Sequence, residues 1–98
     1  MSVYAVHYTY CADAEAIAAG RPNHREYLRG LVESGQLLAS GPLVGLERDQ
    51  ALLIFRADSP AAVEELLSGD PFQRDKLVER HEIVQWNALL GSFAEHAG

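Results

Sequence analysis

One cysteine, Cys11, is too few for an internal disulfide, so nothing in the chain argues for an oxidising compartment. Long apolar runs are also missing: residues 51–55, Ala-Leu-Leu-Ile-Phe, fall far short of the ~20 needed to cross a bilayer. A membrane is therefore not an expected partner. Positive charge is scarce, with 8 Lys and Arg dispersed among 14 Asp and Glu for a net charge of −6, and no basic stripe is present to follow a phosphate backbone. Nucleic acid is excluded on the same ground. Glycine-rich dinucleotide fingerprints and phosphate loops are absent, so no cofactor is expected. No internal repeat or low-complexity segment appears. Met1-Ser2-Val3 leads into a mixed polar stretch without a basic n-region or an apolar h-region, and the expected location is the cytoplasm.

What is present is globular composition, 48% hydrophobic and 22% charged. Residues 1–98 are read as one domain, of a size that gains from an oligomer interface. Residues 3–10 alternate as a strand, with Tyr4, Val6, Tyr8 and Tyr10 on one face and Val3, Ala5, His7 and Thr9 on the other. Both faces carry residues that can be buried. Residues 11–20 are Ala-rich with a weak apolar pattern, and read as a loop with at most a short helix ended by Gly20.

Arg21-Pro22-Asn23-His24 then opens a helix. Pro22 suits a first turn, where its missing N–H costs nothing, and Tyr27, Leu28, Leu31 and Val32 recur at helical spacing until Gly35. His24 is thereby expected in the first turn, where the positive end of the helix dipole favours the neutral imidazole a general base needs. Residues 37–40 form a strand closed by Gly41-Pro42, and a polar stretch joins it to a second strand at 51–56 as a hairpin. Ser59-Pro60 starts a short helix with Val63, Leu66 and Leu67 as its stripe, ending at Gly69. Residues 73–80 read as irregular or briefly helical, 82–90 as the last long strand, and 92–98 as a frayed tail.

The order β-α-β-β-α-β is that of the ferredoxin-like split βαβ, an α+β fold with both helices on one face of a four-stranded sheet. The other face is not polar enough to stand in water. Two subunits packed sheet on sheet would cover it, which predicts a homodimer.

Arg21-Pro22-Asn23-His24 with Tyr27-Leu28, then Gly35-Gln36-Leu37-Leu38-Ala39-Ser40-Gly41-Pro42-Leu43, then Asp70-Pro71-Phe72, resembles the YciI-like (YCII-related) family in order and spacing, over roughly residues 3–86. The pattern departs from the family near Gln85-Trp86, where relatives often have a proline before the aromatic. The resemblance implies a dimeric α/β barrel of ferredoxin-like subunits and an active-site dyad of His24 and Asp70. At least one relative eliminates chloride from a chlorinated hydroxyquinol.

A His-Asp pair suits proton transfer because the carboxylate fixes the ring tautomer and stabilises the imidazolium that forms. The bland alternative is a structural hydrogen bond. Asp70-Pro71-Phe72-Gln73 also reads as a helix cap, with Gln73 placed as in a capping box, and one carboxylate can cap and pair at once. Arg21 is a candidate clamp for an anionic substrate. Ser40 and Gly41 are candidates to line the site, and His7 to point into the cavity or the dimer interface. A His7, His24 and Asp70 metal site lacks any ligand spacing motif, and no metal is expected. Tyr4, Tyr8 and Trp86 read as packing residues before ligand-stacking ones. Cys11 has no base or second cysteine nearby in sequence. The function expected is a cofactor-independent proton-transfer enzyme of lyase or isomerase type acting on a small molecule. The alternatives are a non-catalytic ligand-binding or assembly module and a cofactor-free oxygenase of the related barrel type.

Overall fold

A computed structural model describes residues 1–96. Its elements are β1 (Ser2–Tyr10), α1 (Ala14–Glu33), β2 (Leu37–Leu43), β3 (Gln50–Ala57), α2 (Pro60–Ser68), α3 (Pro71–Arg74) and β4 (Val78–Gln85), followed by a 3-10 turn at Ala94–His96. The strands form one antiparallel sheet in the order β2-β3-β1-β4. This is the ferredoxin-like α+β arrangement expected from the sequence. The tail expected at 92–98 includes residues 97 and 98, which lie outside the described residues. No helix among the described residues is long and apolar enough to cross a membrane.

The largest departure from the sequence reading is α1. It begins at Ala14, not at Pro22, with Asp13 as its cap, accepting from the Ala16 N–H at 3.1 Å. Gly20 and Pro22 both lie inside it. Pro22 is exposed and removes one backbone donor from the ladder. Helical hydrogen bonds on either side hold the segment together, so a proline that reads as a start is a tolerated interruption. Gly20 is explained by packing: a Cβ there would stand 2.9 Å from Cε1 of Phe72. The helix ends as expected at Gly35, whose φ of 80° is the left-handed conformation, and the Gln36 N–H closes on the Leu31 carbonyl at 3.0 Å.

Two strands also differ. β2 runs through Gly41-Pro42 to Leu43, which an edge strand permits because one side of it has no ladder for proline to interrupt. β4 starts at Val78 and ends at Gln85, earlier than expected at both ends; the Trp86 N–H makes a last bond to the Val3 carbonyl at 2.8 Å before the chain leaves the sheet. Ser59 caps α2, with Pro60 in its first turn, as the sequence indicates.

Alternation in β1 sorts the two faces of the sheet. Tyr4, Val6, Tyr8 and Tyr10 join Ile17 and Leu28 of α1, Val63 and Leu67 of α2, and Phe72 of α3 in one buried core. The opposite face carries the rows Ala39, Ile54, Ala5, Val84 and Gly41, Leu52, His7, Glu82. Over these rows lies a shallow depression of about 510 Å³, bordered by Trp86 and Phe93. No α-helix among the described residues covers that face.

Candidate active site

Asp70 sits between α2 and α3, and its side chain caps α3 by accepting the Phe72 N–H at 3.0 Å. The capping-box partner is not used: Gln73 donates instead to Nδ1 of His81, at 3.1 Å. Pro71 behind the cap and the bond from the Asp70 N–H to the Leu67 carbonyl, at 3.0 Å, fix the carboxylate in place. Only 1% of the residue is exposed. A buried carboxylate must be fully hydrogen-bonded. Two further donors meet that demand. His24 Nδ1–H donates at 2.8 Å to Oδ1 and lies 3.0 Å from Oδ2, and the Tyr8 hydroxyl donates to Oδ2 at 3.0 Å.

His24 is not in a first helical turn but in the middle of α1, so the dipole argument for a neutral ring falls away. Its orientation is set by contacts instead. The imidazole stacks on Phe72 at 4.1 Å between centroids and 9° between planes, and Tyr10 packs edge-on against the other ring at 5.3 Å. Gly20 leaves the room that Phe72 needs for this. With Nδ1–H committed to Asp70, Nε2 is the nitrogen left to accept a proton, and among the described residues it has no hydrogen-bond partner.

Burial first, and the Asp70 charge second, push the Tyr8 phenol well above its ordinary range, so it remains a neutral donor to the carboxylate. Burial and Asp70 act the same way on Tyr10, which the Arg21 guanidinium partly opposes. The weaker upward shift of Tyr27 has the same two causes, and its hydroxyl donates to the Leu66 carbonyl at 2.6 Å. Gly69 makes that bond possible, because a Cβ there would stand 2.5 Å from the Tyr27 oxygen.

His24 lines a cavity of about 430 Å³ between α1 and the edge of the sheet, with Arg21, Ser40 and Gly41 also on its wall. Five of the six residues singled out in the sequence are thus in one place or one contact behind it: Arg21, His24, Ser40 and Gly41 at the cavity, and Asp70 behind His24. His7 is not brought to it. It lies on the uncovered face, where Nε2–H donates to Gln50 Oε1 at 2.7 Å. No group of three or more His, Cys, Asp or Glu among the described residues is placed to hold a metal ion, and His7 is on the wrong side of the sheet to join His24 and Asp70. Two residues were missed. Tyr8 was read as packing, although β1 alternation already put it on the helix-facing side; Arg25, on the cavity wall, stands four residues after Arg21 on the same helix face.

The YCII-related domain matches residues 1–87. The chain belongs to the YCII-related family. No curated protein matches this YCII-related chain in sequence. Among solved structures it is similar to 5-chloro-2-hydroxyhydroquinone dehydrochlorinase from Burkholderia phenoliruptrix in complex with 2,5-dihydroxybenzoquinone, with 18% identity, a TM-score of 0.75, and 86% of this chain and 92% of that one covered. It is also similar to an antibiotic biosynthesis monooxygenase, with 18% identity, a TM-score of 0.56, and 92% and 100% covered. A dimeric ferredoxin-like protein from an uncultured marine organism matches with 12% identity, a TM-score of 0.51, and 85% and 83% covered. At these identities the likenesses establish the shared ferredoxin-like fold.

Proposed function

We propose that this chain is a cofactor-independent enzyme in which His24 moves a proton on a small oxygenated molecule, with a lyase outcome, such as loss of chloride, or an isomerase outcome. The observation that carries the reading is the 2.8 Å bond from His24 Nδ1 to a carboxylate that is 1% exposed, on a histidine that borders an open cavity. Asp70 holds the ring in the tautomer with Nε2 bare, and takes up the charge of the imidazolium as it forms. The proton goes to Nε2 and the bonding pair stays on the substrate; in the isomerase case it shifts within the molecule, and in the lyase case it forms the new π bond as chloride departs with the C–Cl pair. A binding or assembly module would leave His24 in a closed, dry contact, and the cavity beside it favours catalysis. Family membership and the likeness to a dehydrochlorinase support the reaction class.

We further propose that the working unit is a homodimer. Leu52, Val84 and Trp86 on the uncovered face are 39%, 60% and 41% exposed, and exposed apolar side chains grouped on one sheet face suit an interface. Light scattering at micromolar concentration is expected to give twice the chain mass, and a monomer would contradict it.

The test of the activity is chloride release from chlorinated hydroxyquinols, together with solvent deuterium uptake into ring C–H positions followed by NMR. Turnover should fall roughly 10²–10⁴-fold in His24→Gln and in Asp70→Asn, with the double variant little worse than either. Additive losses, or turnover that survives in His24→Gln, would overturn the reading.

A further inference from the structure

The wall of the His24 cavity carries charge that proton transfer by His24 and Asp70 does not use. Arg21 and Arg25 are one helical turn apart on α1, with His24 between them in sequence, and all three line the cavity. Among the described residues no aspartate or glutamate lines it. The Asp70 carboxylate is enclosed behind the imidazole and already receives three donors. Among the described residues neither arginine has an ion-pair partner, whereas Arg29, Arg48 and Arg80 pair with Glu26, Glu79 and Glu82.

Two like charges a turn apart repel each other, and no carboxylate among the described residues pairs with them. The rest of the wall is largely apolar, with Leu28, Leu53 and Phe72 among its residues, so an ion held there is less screened than on open surface. In a protein of net charge −6, this is a local positive funnel.

We propose that Arg21 and Arg25 form an anion subsite, and that the molecule deprotonated by His24 is a small ring bearing an anionic oxygen. The inference rests on the proton-transfer reading of His24. The guanidiniums anchor the oxygen through charge-assisted hydrogen bonds and set the ring beside Nε2. As the proton passes to Nε2, the electron pair left on the ring spreads onto oxygen, and the same two cations stabilise it. No oxidant or second reactant is required.

Calorimetric titration of the whole chain at low salt tests this with three probes of similar size: 2,5-dihydroxybenzoquinone, 2,5-dihydroxybenzoate and neutral hydroquinone. The wild type is expected to bind at least one of the anions about tenfold or more tightly than hydroquinone, a preference that shrinks with added salt. The exposed pair Arg21→Gln with Arg25→Gln should lose that preference while keeping its hydroquinone affinity and its circular dichroism spectrum. Tighter binding of the quinone marks the anionic oxygen as enolic, and tighter binding of the benzoate marks it as a carboxylate. Equal affinity for anions and hydroquinone in the wild type, no binding of either anion at millimolar concentration, or a preference that survives in the double variant would each overturn the subsite. Deuterium uptake into the bound ring separates the two claims: uptake that persists in His24→Gln, with the arginine-dependent preference intact, refutes the base and leaves the subsite standing.

Discussion

On the helix-covered face of the sheet, Tyr8, His24 and Asp70 are buried in a web where each hydrogen bond has a named partner; on the other face, Leu52, Val84 and Trp86 are left part-exposed, with no α-helix among the described residues above them. The first face is finished within one chain. The second is not, and its chemistry is that of an interior without a cover. Polar groups are affordable in the first only because they satisfy one another, and apolar groups are tolerable in the second only if something else removes them from water. The difference separates what one chain completes alone, the His24–Asp70–Tyr8 web, from what the proposed pairing would cover.

The largest effect should come from breaking the finished face. Asp70→Ala strands the Tyr8 hydroxyl, the Phe72 N–H and His24 Nδ1 in a buried space, and urea unfolding should register a loss of about 3–5 kcal/mol. A smaller effect, of another kind, follows on the open face. Trp86→Asp should weaken association by about 2 kcal/mol or more in sedimentation equilibrium while leaving the near-ultraviolet signature of the core tyrosines in place. If both variants changed stability alike and neither changed association, the contrast between the faces would be lost.

Much of this contrast is legible in the sequence. Alternation from Val3 to Tyr10 sorts β1 into its two faces, and Ser59-Pro60 and Asp70-Pro71 mark two helix caps that the structure keeps. The error at α1 is physical. Residues 11–20 have a weak apolar stripe because little of that first half is buried, essentially Ile17, and Gly20 is small for the sake of Phe72, a contact far away in sequence. Local pattern cannot reveal a glycine chosen for a long-range packing need. The same holds for the site. Which carboxylate meets His24 came from a family resemblance, and Tyr8 as the third member of the web depends on register across the sheet, which no window of sequence contains.

Close approach gives the next prediction. Gly69→Ala drives a Cβ against the Tyr27 hydroxyl and should cost about 1–3 kcal/mol, with Tyr27→Phe in the same chain recovering part of it because the clashing oxygen is gone.

The smallest effect sharpens the comparison within the finished face. Tyr8→Phe removes one of the three donors to Asp70 and should cost about 1–1.5 kcal/mol near neutral pH. It should also change the alkaline limb. Burial raises the folded phenol above its ordinary value of about 10. Stability is therefore complete below that value and falls as pH rises past it, because only the unfolded chain releases the proton there. Tyr10 behaves in the same sense, so the fall measured by thermal melts should be shallower in Tyr8→Phe without disappearing. An unchanged slope would mean that Tyr8 is not held neutral by its surroundings.

The central claim is that Asp70 commits Nδ1–H of His24 and leaves Nε2 bare toward the cavity. Nitrogen-15 NMR of the imidazole, recorded on the alkaline side of its titration, reads this directly. The Nδ1–H tautomer is expected in the wild type, and Asp70→Asn should weaken that bias. A wild-type His24 that carries its proton on Nε2, or one whose tautomer ignores Asp70→Asn, would contradict the account.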